Sequence, residues 1–283
     1  MTPMRAAAAG VALVCWAGTL SAQTMRPFGT FRQLHGESRL HARLDFAAGR
    51  LRVVAGRAGE LYRMALAYDA DRFVPLSSYD PARGAATLGV ESVGGPGLRV
   101  VSRHQLEQDA VVELSPKADL ALDVSLGAVD ADLDLGGVRL SELRLEAGAS
   151  RSVIRFSQPN PIRCRTADIS AGAAEVSILK LGNSRCDQVR VEGGIGRMTL
   201  DFGGAWTGSE RAELSLAVTE LRLRLPRKVG IRITMDRFLA RFDPNGLVRR
   251  GDAWVSPGYD QAAQHLDLVL TTTVGGVRID WTD

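Results

Sequence analysis

The chain has 283 residues, is 45% hydrophobic with only 6% aromatic side chains, and carries 30 glycines. That length holds one large domain or two ordinary ones, and few aromatics with many glycines suit a thin, repetitive core. The net charge of +3 comes without any basic block, which removes the electrostatic basis for a nucleic-acid partner.

Residues 1–22 read as a signal peptide. One positive charge precedes an apolar run of 15 residues from Ala6 to Leu20, and Ser21-Ala22 supplies small residues for cleavage. The run falls short of the about 20 apolar residues that span a bilayer; the alternative is an uncleaved anchor. Cys15 lacks the small residue and leucine expected before a lipidated cysteine. The sequence therefore predicts an exported protein, periplasmic or at the cell surface, with no transmembrane segment once the signal is removed.

Residues 24–110 form an N-terminal β region. His35 and His41 are expected as solvent-facing cap residues within Arg26 to Arg43. The stretch from Asp69 to Gly97, with Pro75, Pro81 and Pro96, reads as loop. Residues 111–283 carry a repeat. Nonapeptides begin at Gly127 (GAVDADLDL), Gly148 (GASRSVIRF), Gly172 (GAAEVSILK), Gly194 (GIGRMTLDF) and Ala217 (AVTELRLRL), and TVGGVRIDW follows from Thr273. Most are preceded by a short alternating strand, such as Val189-Arg-Val-Glu. The seventh position holds Leu133, Ile154, Ile178, Leu200, Leu223 and Ile279. Apolar and polar positions alternate, as in half-buried strands. The pattern predicts an all-β, single-stranded parallel β-solenoid with rungs of about 22 residues, stable through its stack.

The outward fourth position supports that register independently. It runs Asp130, Arg151, Glu175, Arg197, Glu220, alternating in sign at every step. Stacking would bring Cys164 and Cys186 side by side, and in an oxidising compartment a disulfide is expected; two packed thiols are the alternative. The Asp130, Asp132 and Asp134 patch is a candidate contact surface, and two of its members are expected in surface pairs with Arg151 and Arg155. In Gly251 to Gln261, Trp254 and Tyr259 either pack as a lid on the core or present an aromatic contact surface, with packing the favoured reading. His104 and His265 have no evident partner. The Gly193-Gly194-Ile195-Gly196 stretch is a corner, lacking the third glycine and helix of a dinucleotide site and the aspartate of a calcium β-roll. No GxSxG, HExxH or phosphate loop occurs, so no catalytic residue, cofactor or metal is assigned.

With these motifs in view, LDFAAGRLRVVAG (44–56), DVSLGAVDADLDLGGVRLSELRLEAGAS (123–150), VRVEGGIGRMTLDFGG (189–204) and GDAWVSPGYDQAAQHLDLVLTTTVGGVRIDW (251–281) resemble the toast-rack family. These are β-helical domains of cell-wall-active-antibiotic-response proteins and adhesin-like proteins. The resemblance implies the architecture and no catalytic residues. Family members often follow transmembrane segments and take part in envelope-stress signalling, whereas this chain opens on a signal-like segment. Three functions are in competition. The first is a non-enzymatic envelope module binding a polymer, a lipid surface or a protein, with self-association through the solenoid ends open to it. The second is a ligand sensor working with a separate membrane partner, and the third a polysaccharide-active β-helix enzyme.

Overall fold

The structure, a computed structural model, describes residues 24–93 and 108–283. The signal-peptide reading of residues 1–22, Cys15 and His104 fall outside the described residues. Among the described residues the fold is all-β, one 16-stranded sheet with short 3-10 turns at Leu181–Asn183 and Tyr259–Gln261. None of its helices is long and apolar enough to cross a membrane.

The N-terminal part holds β1 (Met25–Gln33), β2 (Arg39–Ala55), β3 (Glu60–Asp69), β4 (Phe73–Asp80), β5 (Ala85–Ser92) and β6 (Asp109–Leu114). The middle holds β7 (Asp119–Asp134), β8 (Arg139–Ala147), β9 (Arg151–Arg155), β10 (Cys164–Leu179), β11 (Cys186–Asp201) and β12 (Glu210–Pro226). Then come β13 (Gly230–Asp243), β14 (Val248–Arg250), β15 (Ala253–Val255) and β16 (His265–Thr282).

Alternation makes these strands. In β2, Leu40, Ala42 and Leu44 are buried while His41 and Arg43 are exposed. Each long strand then bends at a corner, where two successive residues point outward, Ala217 and Val218 in β12, before the alternation resumes from buried Thr219. From β7 to β12 the neighbours are parallel. Leu133 lies in register with Ile154, Ile154 with Ile178, Ile178 with Leu200, Leu200 with Leu223, and Leu223 with Ile279 of β16. All six are buried, so the seventh-position column is a column of the core. β8 and β9 are the two arms of one pass, broken at Gly148 to Ser150; both pair with β7 and with β10, which closes a ring of four parallel strands.

The uniform parallel stack does not reach the ends. β1 pairs antiparallel with β3, β3 with β6, and β4 with β5. The stretch expected as loop after Asp69 is thus largely a hairpin, with Pro75 tolerated on strand β4, which pairs only with β5. β2, expected in part as cap, lies inside the sheet between β6 and β7. At the other end β16 enters between β12 and β13, so Thr282 pairs with Pro226. β13 is regular but displaced outward by β16, with the β14–β15 hairpin antiparallel beyond it.

Buried asparagines hold the turns opposite the corner. The Asn160 side chain donates to the Leu140 and Ser184 carbonyls at 2.7 and 3.0 Å and accepts from Leu140 N–H at 3.2 Å. Asn183 donates to Phe156 O at 2.8 Å and accepts from Ala205 N–H at 2.7 Å. Such side chains satisfy turn backbone that the ladders leave unpaired. At the β11 corner the positive-φ glycine is Gly196, φ 150°, two residues after the unit's first glycine, and a Cβ there would lie 1.9 Å from Ala174 O; Gly49 of β2 and Gly275 of β16 turn their corners with positive φ as well. Gly196→Ala is expected to lower unfolding free energy by about 2 kcal/mol or more through this clash, measured by urea denaturation; unchanged stability would refute the close approach.

Candidate binding face

The outward rows of the sheet divide into two chemical kinds. The first kind is self-neutralising. The row Arg43, Asp123, Arg144, Asp168, Arg190, Glu213 is in register strand by strand, with Arg190 at 3.4 Å from Asp168 and 3.7 Å from Glu213. The expected fourth-position row is equally in register from Asp130 to Glu220. In it Glu175 sits between Arg151 at 3.6 Å and Arg197 at 3.3 Å. Exposed pairs of this kind are worth only about 0–1 kcal/mol each; their work is to fix register and to leave no net field.

The second kind lies two residues before each corner and holds no cation. Asp45, Ser125, Glu146, Ser170, Glu192, Ser215, Thr271 and Asp236 follow one another across eight passes. From Glu146 onward all are exposed. Carboxylates and hydroxyls thus recur at strand spacing, about 4.8 Å. Two shallow grooves run along the row, one of about 460 Å³ lined by Asp45, Ser125, Glu146 and Ser170, the other of about 420 Å³ lined by Ser170, Glu192, Ser215 and Thr271. Their floors include Gly127, Gly148, Gly193 and Gly194. The acid–hydroxyl alternation was visible in the sequence, in the residue two places before each nonapeptide, but reading the columns from the corner glycine onward passed over it.

The expected contact residues are mostly engaged in structure. Arg155 pairs with Asp132 at 2.7 Å rather than with Asp134, its register partner. Asp134 instead accepts from Gly136 N–H at 2.9 Å and Ser157 N–H at 3.3 Å, tying two successive turns. Asp130 is exposed in register with Arg50 and Arg151. Trp254 packs against the core with its ring 5.7 Å from Phe242, edge to face. Tyr259 is half-buried, its hydroxyl donating to Asp267 at 3.2 Å and its ring 4.8 Å from His265. His265 does have a partner, the Tyr259 carbonyl at 2.9 Å. His41 meets Asp123 at 2.7 Å. Among the described residues no three His, Cys, Asp or Glu side chains gather as metal ligands.

Cys164 and Cys186 form a disulfide between neighbouring strands, Cα atoms 4.1 Å apart and 22 residues apart in sequence. Near it, the buried Glu210 carboxyl is pushed up to about 8 by desolvation, and Asp187 beside it adds to the rise. One Glu210 oxygen is buried without a hydrogen-bond partner among the described residues.

The family model described as the N-terminal domain of toast_rack, DUF2154, matches residues 23–179. No curated protein matches the chain. Among solved structures, a “putative cell adhesion protein” from Clostridium sporogenes is similar at 16% identity and TM-score 0.49, covering 91% of this chain and 100% of its own. A “putative adhesin” from Bacteroides fragilis is similar at 10% identity and TM-score 0.43, covering 90% and 97% respectively.

Two outcomes follow from the cysteine–glutamate corner. Below about pH 4.5 Glu210 is protonated both folded and unfolded; between 4.5 and about 8 the unfolded chain releases the proton while the fold retains it. Stability should therefore decline as pH rises through that window, and Glu210→Gln should flatten the decline, as read by thermal melts across pH; a decline of equal slope in the variant refutes this. Reducing the disulfide, or Cys164→Ala with Cys186→Ala, should cost about 3 kcal/mol for a loop of this length, checked by urea denaturation with and without reductant.

Proposed function

Since the chain belongs to the toast-rack family, we propose that it is a non-enzymatic binding module of the cell envelope whose acid–hydroxyl row engages an extended sugar polymer. In this reading the middle of the chain works as a parallel β-solenoid with coils of about 22 residues, carried on 111–283, and 24–110 is the region that begins it. The observation that carries the reading is the row from Asp45 to Asp236, which repeats hydrogen-bonding groups of two kinds in single file without a cation. A polymer of hydroxyl- and amine-bearing sugars presents donors at a comparable repeat, and many weak contacts along a rigid row add where any one alone is slight. The neutral charge ladder beside the row avoids repelling either sign of ligand. Export is supported by the disulfide, which persists in oxidising compartments.

An enzymatic reading has less behind it. Asp132 and Asp134, the carboxylates nearest to a hydrolytic pair, are held by Arg155 and by turn amides. Carboxylates so engaged are not free to flank a glycosidic bond as the hydrolytic pair must.

The test is co-sedimentation of the purified protein with peptidoglycan sacculi. Wild type should pellet with the sacculi and release no soluble fragments, while Glu146→Gln, Ser170→Ala, Glu192→Gln combined should weaken binding about tenfold or more. Undiminished binding by this variant, or no binding by wild type, overturns the polymer reading, and released fragments would overturn the non-enzymatic one.

A further inference from the structure

At the corner itself the outward side chains change along the sheet. Toward β2 they are small: Ala128 on β7, half-buried, and Ala173 on β10, exposed. From β11 onward they become bulky and apolar. Ile195 is in register with Val218, Val218 with Val274, and Val274 with Leu239. Exposure is 64% for Ile195, 45% for Val218, 37% for Val274, 67% for Leu239 and 77% for the adjoining Phe238. Four strands at the usual spacing make an apolar ridge about 14 Å long. Isolated exposed aliphatics need no explanation, but a contiguous row of them does.

The flanks of Phe238 and Leu239 are basic. Arg237 precedes them and Arg241 follows, and among the described residues neither forms an ion pair with a carboxylate; Arg237 donates to the Ala240 carbonyl at 3.2 Å. That last contact bears on who the occupant is. β13 pairs with β15 only from Arg232 to Thr234, so its remaining outer edge has no strand beside it among the described residues. The Arg237 guanidinium lies against this stretch of β13 at the Ala240 carbonyl, and a charged side chain at an open strand edge works against a second copy adding a strand there. The ridge is also convex, since successive residues both face outward at the corner, with shallow grooves beside Leu239 and Val274 and beside Ile195. Protruding apolar side chains bracketed by unpaired cations match a bilayer interface, where the apolar tips enter the acyl boundary and the guanidinium groups meet phosphates.

We propose that this corner is a membrane-contact site: Phe238 and Leu239, backed by Val274, Val218 and Ile195, insert into the surface of an anionic lipid bilayer while Arg237 and Arg241 bind its headgroup phosphates. The proposal goes beyond the polymer-binding role and uses different residues, so either can fail alone.

Co-sedimentation of the full chain with vesicles tests it, comparing phosphatidylcholine alone with phosphatidylcholine containing phosphatidylglycerol. Wild type should bind the anionic vesicles, lose binding as salt rises, and bind the neutral ones weakly. Phe238→Ser with Leu239→Ser should abolish binding, and Arg237→Gln with Arg241→Gln should reduce it about fivefold per arginine. Because these side chains are exposed, melting temperatures and sacculus binding should be unchanged. Wild type that ignores anionic vesicles, or a Phe238/Leu239 double variant that still binds them, overturns the proposal. So does a concentration-dependent dimer in sedimentation velocity that the same double variant dissolves without vesicles, because the ridge would then be covered by a second copy.

Discussion

Register is the constraint on which everything else here depends. A strand's side chains alternate with a period of two, so a slip of one residue would turn Leu133, Ile154, Ile178, Leu200 and Leu223 out to water and bring Asp132, Ser177, Thr199 and Arg222 inward. The core is only one or two side chains deep, and no other layer could absorb such an error. Two independent devices hold the alignment. Inside, aliphatic side chains of similar size stack pass on pass. Outside, alternating charges meet partners in register and would meet like charges in some other registers. The disulfide adds a covalent pin at Cys164 and Cys186, which are themselves register partners.

Once register is fixed, each outward position becomes a row, and chemistry that is trivial on one strand becomes a property of the whole sheet. A single Glu192 or Ser170 is an ordinary surface residue. Repeated across neighbouring strands, the same position makes a linear face with its own composition. The charged rows alternate in sign, the pre-corner row is acidic and hydroxylic, and the corner row runs from alanine to bulky aliphatics. Function in such a molecule is legible by row more than by residue.

The middle of the sheet was readable from the sequence because its contacts are short in sequence. Gly172 and Gly194 announce their stacking by spacing alone, and Glu175 with Arg197 supplies a second witness. What stayed hidden is non-local or idiosyncratic. Nothing in the spacing of TVGGVRIDW says that β16 passes inside β13, because both strands fit the same pattern. The antiparallel pairing of β1 with β3 leaves only ordinary alternation behind. Asp132 taking Arg155 from Asp134 is decided by a turn, whose free amides claim Asp134 first. Asn160 and Asn183 lie between the repeats, where sequence reading sees only loop.

The insertion of β16 has a chemical counterpart that makes it intelligible. Its outward residues Val269, Thr271, Val274 and Gly276 are uncharged where β12 presents Glu213 and Glu220 and β13 presents Asp236 and Arg241, whereas its one earlier charge, Asp267, lies in register with a cation on each side, Arg211 of β12 and Arg232 of β13. A charged strand would have had to match both neighbours at once; a neutral one needs to match neither. Gly276 goes further, because a Cβ there would come within 2.7 Å of the Glu220 carboxylate. The absent side chain leaves Glu220 room to lie across the inserted strand. Past Gly276 charges return, and there Arg222 faces Arg278 in register but pairs diagonally with Asp280. The inserted strand is therefore charged where cations flank it on both sides, at Asp267, or where a diagonal partner is at hand, at Asp280, and neutral from Val269 to Gly276 between them. It also places Thr271 in the pre-corner row between Ser215 and Asp236 and supplies Val274 to the apolar ridge, so the neutral stretch of the strand shapes both exposed faces at this end of the sheet.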